Sequence, residues 1–195
     1  MATMTGGEKL QAYLQQIAGK LASAGTNPNV RVGFLEGATY PDGTPVPLIA
    51  AQNEFGATIQ RPAGTVTVYR KTNKAGTHFL RNGRFVKRSE ANFFSTHATA
   101  AHAVTIPPRP FFRRMIKAKG PTWGPDIGKL LPAYNYDVAK VLTAMGTLIR
   151  GQLQDSILNF TTPRNAPATV ARKGFDRPLI DTSHMLNSAD FEVST

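Results

Sequence analysis

Eight Lys and Arg residues fall between positions 61 and 88, with no Asp or Glu among them. They are Arg61, Arg70, Lys71, Lys74, Arg81, Arg84, Lys87 and Arg88. Charges of one sign repel one another, so this stretch belongs at the surface and constrains everything around it. Its residues are also strand-like. Thr65-Val66-Thr67-Val68-Tyr69 alternates as a half-exposed strand does. His78-Phe79-Leu80-Arg81-Asn82-Gly83-Arg84-Phe85-Val86-Lys87 sets Asn82-Gly83 between two β-prone runs, a two-residue hairpin signal. The spacing predicts a basic β-hairpin excursion over residues 61–100, with residues 102–106 returning to the core.

The flanks carry a different period. Leu10, Tyr13, Leu14, Ile17 and Leu21 recur at three- and four-residue steps and predict an amphipathic first helix with a buried stripe. Asn27-Pro28 stops it, and residues 30–35 read as a short strand. Pro47 suits the first turn of a second helix, which Gly56 would end as a left-handed cap. Phe111 should start a helix that stops near Gly120, before a Pro- and Gly-rich loop over residues 120–125. A long helix is expected over residues 137–159, with Val138, Val141, Leu142, Met145, Leu148, Ile149, Leu153 and Ile157 on its buried face. Gly146 and Gly151 within it weaken it and permit close packing. Residues 161–178 read as a loop. A short helix capped by Asp181 or Thr182 and a strand over residues 189–193 close the chain. The 195 residues therefore read as one α+β domain, with neither an internal repeat nor a second domain.

Composition narrows the function classes. The net charge of +11 favours a phosphate backbone, an anionic membrane or an acidic protein neighbour. There is no cysteine, which excludes disulfide scaffolds, thiolate metal sites and cysteine nucleophiles. No run approaches the ~18 apolar residues of a membrane span, and Met1 to Gly7 lack the pattern of a secretory leader. The expected place of synthesis and folding is the cytoplasm.

Catalytic chemistry is poorly represented. Asp181, Ser183 and His184 have the residue types of a hydrolase triad, but neighbours on a short helix point to different faces. His97 and His102 lie five apart with no acidic residue near them, too few ligands for zinc. Glu36, Asp42 and Glu54 are the one place where carboxylates could converge. No phosphate-binding glycine loop occurs, and no cofactor is expected. The basic excursion remains. Its cations, interleaved with Tyr69, Phe79, Phe85, Phe93 and Phe94, fit a nucleic-acid backbone, a merely solvated hairpin or an acidic protein partner, and the last is favoured.

Three short motifs stand in a fixed order along this pattern. Asn53-Glu54-Phe55-Gly56 ends the second helix, Pro108-Arg109-Pro110-Phe111 opens the third, and Leu179-Ile180-Asp181-Thr182-Ser183-His184-Met185-Leu186-Asn187-Ser188 precedes the last strand. In this order, over residues 10–193, the chain resembles the neck and tail-completion proteins that join head to tail in long-tailed bacteriophages. It departs from them at Ser183, where glycine is common. The resemblance implies a curved antiparallel sheet with helices packed on one face and a long protruding hairpin. It further implies a non-enzymatic virion protein without cofactor, forming a ring, usually sixfold, that completes or terminates the tail. The implied partners are other copies of the chain, adjacent connector and tail-tube proteins and, transiently, genomic DNA, with no membrane. The cations Arg70, Lys71, Lys74, Arg81, Arg84, Lys87 and Arg88 would face a partner. A sequence-independent nucleic-acid binder using the same hairpin is the alternative.

Overall fold

The computed structural model describes residues 6–194, so residues 1–5 of the stretch read above as lacking a leader lie outside the described part. The fold is α+β. In chain order its elements are α1 (Gly6–Ala22), β1 (Asn29–Phe34), α2 (Val46–Phe55), β2 (Ala57–Arg61), β3 (Gly64–Arg70), β4 (Phe93–Thr99), β5 (His102–Ile106), α3 (Phe111–Ala133), α4 (Val138–Leu158), α5 (Pro167–Lys173), α6 (His184–Asn187) and β6 (Ala189–Ser194). Instead of one sheet, the strands form three two-stranded pairs: β1 with β6 and β3 with β4, both antiparallel, and β2 with β5. The chain divides into two compact units, Met1–Ala57 with Pro107–Thr195, and Thr58–Ile106.

The first unit holds the core. Val141, Met145, Ile149, Leu153 and Ile157, one per helical turn, are buried along α4. Against this stripe pack Phe111 and Met115 of α3, Val46 and Ala50 of α2, and Leu179, Ile180, Met185 and Ala189 near the carboxyl end. Each large side chain so buried contributes roughly 1.5–3 kcal/mol. Asp137 caps α4, its carboxylate accepting the Lys140 amide at 3.1 Å. The β1–β6 ribbon pairs Val32 with Phe191 and Phe34 with Ala189. At Gly146 the ribbon approaches so closely that a Cβ would overlap the Phe191 ring. Glycine there is a packing requirement. Leu148, expected on the buried face, is 40% exposed.

Four expectations are corrected here. α3 does not stop at Gly120 but runs through Pro121, Pro125 and Pro132 to Ala133. All three prolines are exposed, so water can satisfy the carbonyls left without a donor. The inner face holds the helix: Trp123, Ile127 and Leu130 pack on the core, and Trp123 Nε1 donates to Gln152 Oε1 at 2.9 Å. Residues 161–178 are not all loop. Pro167 sits in the first turn of α5, and Gly174 ends it at φ 82°, ψ −2°. The short α6 has neither Asp181 nor Thr182 as its cap; Ser183 stands there in left-handed backbone, φ 61°, with no capping side chain. That conformation is what glycine would serve at this position. Finally, the apolar stripe of α1 is not buried: Leu10, Tyr13, Leu14 and Leu21 are all exposed.

In the second unit, β3 and β4 pair in register from Gly64↔Thr99 to Arg70↔Phe93. The Asn82-Gly83 hairpin is not formed as expected. Asn82 and Gly83 do take positive φ, 54° and 72°, but within a 3-10 turn at Arg81–Gly83. The flanking runs pair with the end of β3 instead of with each other: Leu80 N donates to Lys71 O at 2.7 Å and Val86 N to Tyr69 O at 2.9 Å.

Gly146→Ala should lower stability by about 1–3 kcal/mol in denaturant titration, because the Phe191 ring and its strand must shift. Ser183→Gly should raise stability by up to about 1 kcal/mol by relieving left-handed strain. A loss on Ser183→Gly would contradict this account of α6.

Candidate functional site

The first two motifs meet. Glu54 ends α2 with its side chain only 6% exposed. Its carboxylate accepts the backbone amides of Phe112 at 2.9 Å and Arg113 at 3.2 Å, and Arg113 Nε at 2.7 Å. Those amides lie in the first turn of α3, whose flanking residue Pro110 offers no capping group. Glu54 therefore caps α3 from another helix, where negative charge also suits the helix dipole. Arg113 adds a bond from Nη2 to the Glu54 carbonyl at 3.0 Å and lies over the exposed Phe55 ring at 4.9 Å. Gly56 has the expected positive φ, 78°, but its ψ of 164° is extended, not left-handed helical, because the chain passes directly into β2.

Arg109 is buried beside this cap. Its amide donates to Asn53 O at 2.6 Å, Nη1 to Asn53 Oδ1 at 2.8 Å and Nη2 to Asn165 Oδ1 at 3.4 Å. Burial lowers the guanidinium pKa, and Asp176 opposes the shift. Asp176 also receives the Asn165 amide at 3.1 Å. Asn53 stands inside the first motif, but Asn165 and Asp176 carried no signal in the sequence. They sit in a stretch that read as loop, and hydrogen bonds across more than fifty positions have no periodicity. Pro108 is exposed and shapes the approach to Arg109, while Phe111 is buried against Phe34 at 6.3 Å.

The third motif does not join them. Asp181 is exposed and pairs with Arg172 at 3.7 Å, and Thr182 is exposed. His184 Nε2 bonds Thr39 O at 2.8 Å, so Asp181, Ser183 and His184 form no relay. Asp42 is spent on the Thr44 amide at 3.0 Å, which lowers its pKa. Among the described residues no three His, Asp or Glu side chains gather as metal ligands.

The basic residues are organised differently. Arg70, at the end of β3, lies over Phe79 at 5.0 Å and Phe85 at 5.3 Å. Phe79 packs edge-on against Phe93 at 5.2 Å. Arg70 is thus a clasp that gathers residues 71–92 and does not point outward as a free charge. Arg81 pairs with Glu90 at 3.1 Å, an acid just past the stretch read as acid-free. Lys71, Lys74, Arg84, Lys87 and Arg88 are exposed and have no ion pair among the described residues. None of residues 58–106 is buried, although Phe85 is 66% and Phe94 68% exposed within them. No helix among the described residues is long and apolar enough to cross a membrane.

Glu54→Ala should destabilise the fold by about 2–4 kcal/mol, combining a lost cap with unpaired buried donors, and Glu54→Gln by about half as much. An effect of Glu54→Ala within about 0.5 kcal/mol in urea titration would rule out the cap as a structural anchor.

Comparison with known families, curated proteins and solved structures finds no match for this chain.

Proposed function

We propose that the chain is a structural virion protein of a long-tailed bacteriophage, forming a ring at the head–tail junction. The observation that carries this reading is the unit Thr58–Ile106: a folded segment with no buried residue and several exposed aromatics. Two-stranded ribbons are marginally stable alone, and exposed apolar surface marks an assembly contact. A free monomeric enzyme or carrier has no use for such a segment. A subunit completed by its neighbours does.

A ring closes when each subunit offers two different patches. The apolar stripe of α1 supplies one, through Leu10, Tyr13, Leu14 and Leu21. The open edges of the two-stranded ribbons supply another, since a free edge accepts a neighbouring strand. In the ring, with sixfold symmetry, these ribbons would line up as a curved antiparallel sheet with helices on one face, and residues 61–100 would project as a long hairpin. The ring completes or terminates the tail between connector and tail-tube proteins, in the virion neck, with DNA passing transiently through it. The motif order over residues 10–193 supports the phage setting, and the Glu54–Arg113 and Asn53–Arg109 bonds give two of the motifs a shared structural role.

Purified full-length protein should form closed rings by negative-stain microscopy and light scattering. Leu10→Lys with Leu14→Lys should leave the helical circular dichroism intact and the protein monomeric. A wild-type chain that stays monomeric at every concentration, alone and with tail or connector components, would sink the reading.

A further inference from the structure

The unit Thr58–Ile106 carries eight Lys and Arg against the single Glu90, a balance of +7. The other unit is basic as well. It carries 15 Lys and Arg and 11 Asp and Glu, itself +4. Seven of those eleven acids already pair with cations of the same unit: Glu54, Asp126, Asp137, Asp176, Asp181, Asp190 and Glu192. A second copy of the chain, basic in both units and with most of its acids already paired, therefore offers the basic stretch little free negative charge, and bringing two such stretches together costs repulsion.

The cations are also not a track. The facing strands, from Thr65 to Tyr69 and from Phe94 to Ala98, carry no Lys or Arg, and all but Arg61 gather in residues 70–88. Among them lie apolar side chains open to solvent, Leu80 at 37% and Phe94 at 68% exposed. A duplex would leave these wet. A single strand would need free aromatic faces for its bases to stack on. Arg70 already lies on Phe79 and Phe85, and Phe93 packs on Phe79. That leaves Phe94 as the one phenylalanine of residues 70–94 without a ring or guanidinium against it, too few for a run of successive bases, and Leu80 has no ring to offer. Arginines interleaved with exposed apolar groups are instead the composition of a protein interface.

We infer that residues 70–94 dock on a different protein, through an acidic surface whose carboxylates alternate with apolar pockets. This rests on the ring reading in one respect only: it takes the contacts between like copies to lie elsewhere, on the α1 stripe and the open ribbon edges. The basic stretch then joins the ring to an unlike neighbour. Charge sets the partner and speeds the encounter, and Phe94 and Leu80 hold it once docked.

The test is fluorescence anisotropy on the full-length protein at low salt with three labelled probes: an alternating Glu-Leu peptide, poly-glutamate and oligo(dT). The Glu-Leu peptide should bind most tightly, and added salt should weaken it. Arg84→Ser with Lys87→Ser and Arg88→Ser should weaken it about tenfold or more, and so should Leu80→Ser with Phe94→Ser. Both variants alter exposed side chains only, and unchanged circular dichroism verifies their fold. Oligo(dT) bound as tightly as the peptide would make the surface a nucleic-acid site. An affinity indifferent to Leu80 and Phe94, or no peptide binding at low salt, also overturns the inference. The triple-serine variant should still form rings. If it does not, the cations serve the contact between copies, and the inference fails while the ring reading stands.

Discussion

The Glu54 carboxylate holds the point on which the rest of the chain depends. It satisfies two amides of the first turn of α3 and the Arg113 side chain, while Asn53 binds Arg109 beside it. Residues 53–54 stand just before the chain leaves for the unit Thr58–Ile106, and residues 109–113 just after it returns. The clamp therefore closes the base of a long excursion inside the first unit. Loop closure costs entropy that grows only slowly with length, so a tied base tolerates an excursion of this size.

That division explains the charge distribution. The first unit carries 15 bases to 11 acids and pairs seven of those acids internally, while the second holds one acid for eight bases. A segment that must fold alone would be penalised for such imbalance and for exposing phenylalanine. A segment completed by another molecule is not. Arg70 orders it within the chain, lying over two rings and so shaping residues 71–92. Preorganisation of this kind lowers the entropy lost on docking.

How much of this was legible in the sequence depended on whether the governing interaction was local. The α4 stripe from Val141 to Ile157, its start near Asp137 and the close packing at Gly146 followed from period and residue type, while the capping role of Asp137 came from the fold. α3 did not, because Pro121 and Pro125 break a helix by local rules, and only their common exposure and the seat of Trp123 allow it to continue. Pro167 and Gly174 were start and stop signals hidden among other prolines. The α1 stripe was read correctly as amphipathic and wrongly as buried, since periodicity shows that a face is apolar without showing what covers it. At the site, Glu54 and Arg109 were visible within motifs, but their bond required the fold. The Asn82-Gly83 signal gave the local turn, with the pairing of its flanks decided by the end of β3.

The central claim is that the unit Thr58–Ile106 is completed by a neighbour. Amide hydrogen exchange along β3 and β4, compared between the free chain and the assembled ring, tests it most directly. The account predicts fast exchange of the Gly64–Arg70 and Phe93–Thr99 amides in the free chain, far faster than along α4, and strong protection on assembly. Protection of these strands in the free chain equal to that of α4 would contradict it.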